Sequence, residues 1–119
     1  MKLAIALAAA TLAFPALATA GEVEIVDAKA ERAGAGWTFH VTLAHADTGW
    51  DHYADAWRIV GPDGTVLGVR ELLHPHVNEQ PFTRSLSGVS VPEGLTEVTV
   101  EARDSVHGWS PRKLRVSIK

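Results

Sequence analysis

The chain has 119 residues, 46% of them hydrophobic and 21% charged, with a formal net charge of −3 and no cysteine. That length holds one domain with a core of modest size. The near-balanced charge offers no basic field for nucleic acid, and the lack of cysteine excludes thiol catalysis, disulfides and iron–sulfur clusters.

The first twenty residues read as a secretory signal peptide. Lys2 supplies a short positive start, the stretch 3–12 is apolar and alanine-rich, Pro15 breaks any helix, and Ala18-Thr19-Ala20 is a small-x-small cleavage site before Gly21. Pro15 and the modest hydrophobicity of alanine argue against an uncleaved membrane anchor. No cysteine follows the apolar run to carry a lipid, and no twin arginine precedes it, which points to the general secretory route. Residues 1–20 hold one lysine and no acid, so 99 residues with ten basic and fourteen acidic side chains remain. The only methionine leaves with the leader, and the mature domain 21–119 contains no sulfur.

From residue 22 onward, period-two alternation recurs between turn signals and helical spacing is nowhere sustained. The first strand is expected over 22–30, ended by Ala33-Gly34-Ala35-Gly36. In the second, Trp37, Phe39, Val41 and Leu43 face one way and Thr38, His40 and Thr42 the other. A polar, aromatic loop spans 45–53. The third strand, 54–60, puts Trp57 and Ile59 on one face, and Gly61-Pro62-Asp63-Gly64 turns it tightly into a fourth over 65–73. The loop 74–81 leads to a fifth strand, 82–91. Pro92-Glu93-Gly94 turns that into a sixth, 96–103, with Val98, Val100 and Ala102 inward. After the loop 104–111 comes a seventh, 112–119, with Leu114, Val116 and Ile118 inward. Seven short strands at regular spacing predict an all-β, immunoglobulin- or fibronectin-III-like sandwich, with an open barrel as the competing architecture.

In that sandwich the loops 45–53, 74–81 and 104–111 emerge at one end. Five of the six histidines lie on them, His40 being the exception inside the second strand. Imidazole is the commonest neutral metal ligand, and carboxylates complete sites for borderline cations. His52, His74, His76 and His107 are the first-choice ligands, with Glu79 as a fifth group and Asp51 and Asp104 as ligands or ring-orienting acceptors. Without sulfur, copper(II) or zinc(II) suits such a site better than copper(I). The competing reading has the same histidines tying loop backbone together without any ion, and gives His40 no role.

The loops also carry Trp50, Tyr53 and Trp109, near Phe82. Gly49 and Gly108 precede the two tryptophans and would let the indoles turn inward under the loops. Exposed, these aromatics would instead suit stacking on a sugar or anchoring a protein, which defines the alternative of a carbohydrate- or protein-binding module. An enzyme is not expected. Asp104, Ser105 and His107 are too close in sequence to form a relay, no Gly-x-Ser-x-Gly elbow, phosphate loop or His-Glu-x-x-His helix is present, and a small convex sandwich offers no cleft for paired carboxylates.

The segments Gly49-Trp50-Asp51-His52-Tyr53-Ala54-Asp55, Leu72-Leu73-His74-Pro75-His76, Glu79-Gln80-Pro81-Phe82 and His107-Gly108-Trp109 resemble small secreted proteins of proteobacteria without an assigned activity. More distantly, Asp104-Ser105-Val106-His107-Gly108 is similar to the Asp-Gly-His segment of CopC-type periplasmic copper-resistance proteins. Those are small immunoglobulin-like sandwiches that bind copper(II) through histidines and aspartate. That family uses an amino-terminal histidine, whereas this mature chain would begin with Gly21. The resemblance implies a periplasmic location; a metal ion or another periplasmic protein is the expected partner, and charge and the cleaved leader leave no nucleic acid and no membrane anchor to expect.

Overall fold

A computed structural model describes residues 21–118. The signal-peptide reading of residues 1–20 lies outside the described residues. Eight strands and no helix are present among them: β1 (Glu24–Ala33), β2 (Gly36–Ala44), β3 (Ala54–Val60), β4 (Val66–Glu71), β5 (Phe82–Val89), β6 (Glu97–Asp104), β7 (Gly108–Trp109) and β8 (Leu114–Ser117).

All pairings are antiparallel, and they form two sheets, β1-β2-β5 and β4-β3-β6 with both β7 and β8 on the far side of β6. No strand pairing joins the sheets among the described residues, so the architecture is a sandwich rather than a closed barrel. β4 stays beside β3 in the larger sheet, as in a fibronectin-III-like division of strands.

The eighth strand comes from splitting the expected seventh. Pro111 has no N–H to give the ladder, so pairing with β6 stops after Trp109 and resumes at Leu114. Ser110 spans the gap: its N–H donates to the Ala102 carbonyl at 2.8 Å, and its Oγ accepts the Arg112 N–H at 3.1 Å.

The alternation read from the sequence fills the space between the sheets. Phe39, Val41 and Leu43 of β2 face Trp57 and Ile59 of β3 and Val98 and Val100 of β6, all fully or almost fully buried. Trp57 is the central aromatic, as expected. At roughly 1.5–3 kcal/mol per fully buried large apolar side chain, this one layer is the main source of stability. The turn at residues 61–64 closes as a four-residue β-turn, the Gly64 N–H donating to the Gly61 carbonyl at 2.9 Å. Gly64 takes φ +89°, which only glycine adopts without strain.

His40 faces outward on β2, bonded across the sheet to Ser85 Oγ at 2.7 Å and to Glu31 at 3.0 Å. On the outer face of the larger sheet, the ring of half-buried Trp109 lies under two guanidinium groups, Arg58 at 3.7 Å and Arg103 at 5.1 Å from its centroid. Both arginines are also paired with acids, Arg58 with Glu101 and Arg103 with Asp55. The expectation that the indoles turn inward is therefore corrected. Trp109 packs on a sheet face between cations, and Trp50 is 68% exposed, edge-on to Tyr53 at 5.6 Å. Gly108 does adopt a positive φ of 78°, but it serves to start β7 rather than to bury an indole.

Candidate metal centre at the loop pole

The loop 45–53 continues the inward face of β2 for two further positions. His45 and Asp47 are both buried at the same parity as Phe39, Val41 and Leu43. Burying two polar groups there requires that every hydrogen-bonding atom find a partner. Asp47 Oδ1 binds His45 Nδ1 at 2.6 Å and accepts the Ala54 N–H at 3.0 Å, while Oδ2 accepts the His76 N–H at 2.8 Å. His45 Nε2 lies 2.8 Å from the Gly21 carbonyl. A carboxylate and a carbonyl are acceptors only, so His45 donates from both nitrogens and carries a positive charge. Burial alone would lower its pKa. The hydrogen bonds to Asp47 and Gly21, with the charges of Asp47 and Asp104, outweigh burial and hold it above the ordinary value. Burial likewise pushes Asp47 up, and its three donors more than reverse this, so its carboxyl ionises below the usual range.

The second node is Asp104, at the end of β6 and 1% exposed. Its Oδ1 accepts the backbone N–H groups of Val106 at 2.9 Å and His107 at 2.7 Å, which fold the loop 104–111 back onto it. The same oxygen lies 3.0 Å from His52 Nε2 and 3.1 Å from His107 Nδ1. Burial opposes ionisation here too, and the loop N–H groups and His107 overcome it, lowering the pKa. The rings stack in series: His45 and His52 are 4.8 Å apart edge to face, and His52 and His107 are 5.1 Å apart. One ligand atom from each of His45, His52 and Asp104 lies within 4.8 Å of the others.

The third node belongs to the loop 74–81. His76 stacks flat on Phe82 at 3.9 Å and accepts from Arg84 at Nε2, 3.0 Å away, so its Nδ1 carries the proton. That Nδ1 is buried without a partner. Burial, then the charges of Arg84 and His74, lower its pKa, which keeps the ring neutral. Arg84 also reaches Glu79 at 3.3 Å. His74 is exposed, with Nδ1 bonded to the Pro75 carbonyl at 3.0 Å. Asp51 is exposed and accepts from Thr48 Oγ1 at 3.4 Å.

The three loops thus meet at one pole, joined by His76 N–H to Asp47 and by Gln80, which accepts from His45 N–H at 3.0 Å and donates to the His76 carbonyl at 2.9 Å. The seven residues singled out as ligands do not gather at one point. His52 and Asp104 stand together with His107 beside them. His74, His76 and Glu79 form a separate group around Arg84, and Asp51 joins neither. In this arrangement His76 Nε2 faces the Arg84 guanidinium and its Nδ1 is enclosed by protein. His45, left out of that set, is the residue the structure adds. Its only signal in the sequence is its place at the next inward position after Leu43.

No family model matches the chain, and no solved structure matches it. A protein from Halomicrobium mukohataei named "Putative lipoprotein" is 44% identical over 96 residues, which is 80% of this chain and 47% of the relative. The chain therefore spans about half the length of the relative it matches. That relative comes from outside the proteobacteria, and the likeness to CopC-type proteins keeps only the segment from Asp104 to Gly108 behind it. The fold is all-β.

Proposed function

We propose that the protein is a non-catalytic, extracytoplasmic binding protein whose loop pole takes up a divalent transition metal, copper(II) or zinc(II). The observation that carries this reading is the convergence of His45, His52 and Asp104, from two different loops, to within 4.8 Å. Two ligands about 2.0–2.1 Å from one ion lie about 4.1 Å apart when trans, as in a square-planar copper(II) set, and about 3.3–3.4 Å apart in a tetrahedral zinc(II) set, so the group spread over 4.8 Å closes by roughly 0.6–1.5 Å on binding. His52 Nε2 and Asp104 Oδ1, at 3.0 Å, are already spaced as neighbouring ligands, with a proton between them that a cation would replace. Asp47 on His45 Nδ1 supplies the carboxylate that orients a metal-binding imidazole, and a cation would displace the Nε2 proton that His45 now donates to the Gly21 carbonyl. The nitrogen and oxygen donors, without sulfur, suit copper(II) or zinc(II). The name of the Halomicrobium relative, a lipoprotein, accords with a location outside the cytoplasm. This chain has no cysteine among its 119 residues to carry a lipid.

Calorimetric titration of tag-free protein with each metal tests the reading. Micromolar or tighter binding at one ion per chain is expected, with proton release. His52→Ala should weaken it by at least about tenfold, and His40→Ala should leave it unchanged. Equal loss in both variants, or no binding, refutes the proposal. A second reading rests on Trp50, which at 68% exposure next to Tyr53 would suit a carbohydrate- or protein-binding module with structural histidines.

A further inference from the structure

Val23 lies just ahead of β1 and is fully buried, so the start of the described chain is pinned to the body of the domain. The register of β1 on β2 sets where that start goes. Glu24 pairs with Ala44, and the chain before Glu24 therefore runs back along the loop that follows Ala44. Gly21 reaches His45 in this way, and its carbonyl accepts the His45 Nε2 proton at 2.8 Å. His45 Nδ1 is spent on Asp47, so Nε2 is the nitrogen a cation would take, and the partner it faces there is the Gly21 oxygen. Two ligands at right angles, each about 2.0–2.1 Å from one ion, lie about 2.8–3.0 Å apart. The pair of His45 Nε2 and Gly21 oxygen, at 2.8 Å, has that spacing, as does the pair of His52 Nε2 and Asp104 Oδ1, at 3.0 Å.

We propose that Gly21 completes the centre as a chelating residue: its carbonyl oxygen and, once the leader is cleaved after Ala20, its α-amine join His45, His52 and Asp104 around copper(II). The inference rests on the loop pole being metal-binding, and it names the donors that two imidazoles and one carboxylate leave wanting. In the uncleaved chain the nitrogen of Gly21 is an amide, its lone pair delocalised into the Ala20 carbonyl, and it is no ligand. Cleavage turns it into an amine with a lone pair of its own. Covalent geometry holds that amine about 2.7–3.6 Å from the Gly21 oxygen, so a cation on the oxygen closes a five-membered chelate ring with the nitrogen. The amine gives up its proton to the cation, as an imidazolium does. Nitrogen from His45, His52 and the amine, with oxygen from Asp104 and the Gly21 carbonyl, is the donor set that copper(II) prefers. Because Val23 is held in the core, Gly21 is positioned before any ion arrives. Metal loading is thereby tied to export, since the precursor lacks one donor of the centre.

Mass spectrometry of the tag-free secreted protein comes first: it should give the mass of residues 21–119, and any other start overturns the inference. That protein is then compared with a form acetylated at the Gly21 nitrogen, which restores the amide and leaves every side chain of the pole unchanged. Equal urea stability of the two metal-free forms shows that the acetyl group does not disturb the fold. Titrated with copper(II) chloride, the acetylated form should bind at least about tenfold more weakly, because a tethered donor has been removed. Electron paramagnetic resonance should show copper coupled to three nitrogens in the free-amine form and to two in the acetylated one. His52→Ala in the free-amine form should also weaken binding. Equal affinity and equal nitrogen coupling in the two forms overturns the role of Gly21 and leaves the site of His45, His52 and Asp104 standing. No copper uptake by either form overturns both. Unweakened binding in His52→Ala means that the amine acts apart from the pole, and that also overturns the inference.

Discussion

Replacing Asp47 by alanine should cost far more than its place in a loop suggests. The carboxylate holds three donors in a buried setting: the His45 ring, the Ala54 N–H at the start of β3, and the His76 N–H of the neighbouring loop. Each backbone N–H left buried without an acceptor costs about 1–3 kcal/mol. Removing one partner of a buried ion pair costs about 3–5 kcal/mol, though His45 can shed its proton and recover part of that. A loss of about 3–5 kcal/mol is therefore expected, against a stability of about 5–15 kcal/mol for a domain of this kind. At roughly 4–8 °C per kcal/mol, the melting temperature should fall by more than about 10 °C.

Urea denaturation of metal-free protein across pH is the assay. The raised pKa of His45 means that its contribution is full below about pH 6.5 and fades as pH rises through its folded value. The lowered pKa of Asp47 means that its contribution is present above about pH 4 and fades as pH falls through its folded value. The pair thus stabilises most between those limits. Asp47→Ala should remove the alkaline fade and weaken the acid one, which Asp104 still supplies. A stability change under about 1 kcal/mol, or an unchanged pH profile, would refute the account of Asp47 as the tie between the loops.

Two smaller perturbations separate the aromatics. Trp109→Ala removes the ring that two guanidinium groups share and should cost about 1–2 kcal/mol by urea denaturation, without loss of the fold. A cost above about 3 kcal/mol would mean that the indole is a core residue after all. Trp50→Ala should change stability by less than about 0.5 kcal/mol, because the indole is mostly in water. The same variant should lower any glycan-array or pull-down signal if the second functional reading holds, and an unchanged signal would remove that reading.

The period-two pattern was enough to place the strands, because a side-chain period of two has only one way to bury Phe39, Val41 and Leu43. The same parity continues to positions 45 and 47, but a histidine and an aspartate in a polar loop gave no reason to expect the buried pair that the structure forms there. The turn at residues 61–64 was as legible as the strands, since proline and glycine encode its dihedrals. Less visible was the interruption at Pro111, whose effect depends on which strand lies alongside.

What the residues alone determined, then, is an all-β sandwich with its histidines gathered on three loops at one end. Local chemistry decides this, through alternation, turns and the order in which strands must return. Which nitrogen of each histidine is spent could be decided only by the tertiary structure. Asp104 reaches His52 from fifty-two residues away, and Arg84 takes His76 from the next strand. Those contacts cross between elements that no spacing rule connects. They divided the predicted ligands into His52 and Asp104, which the unpredicted His45 joins, a neutral stacked His76, and His74 and His107 exposed at the surface. Hydrogen-bond partners set a ring's chemistry, and folding assigns them.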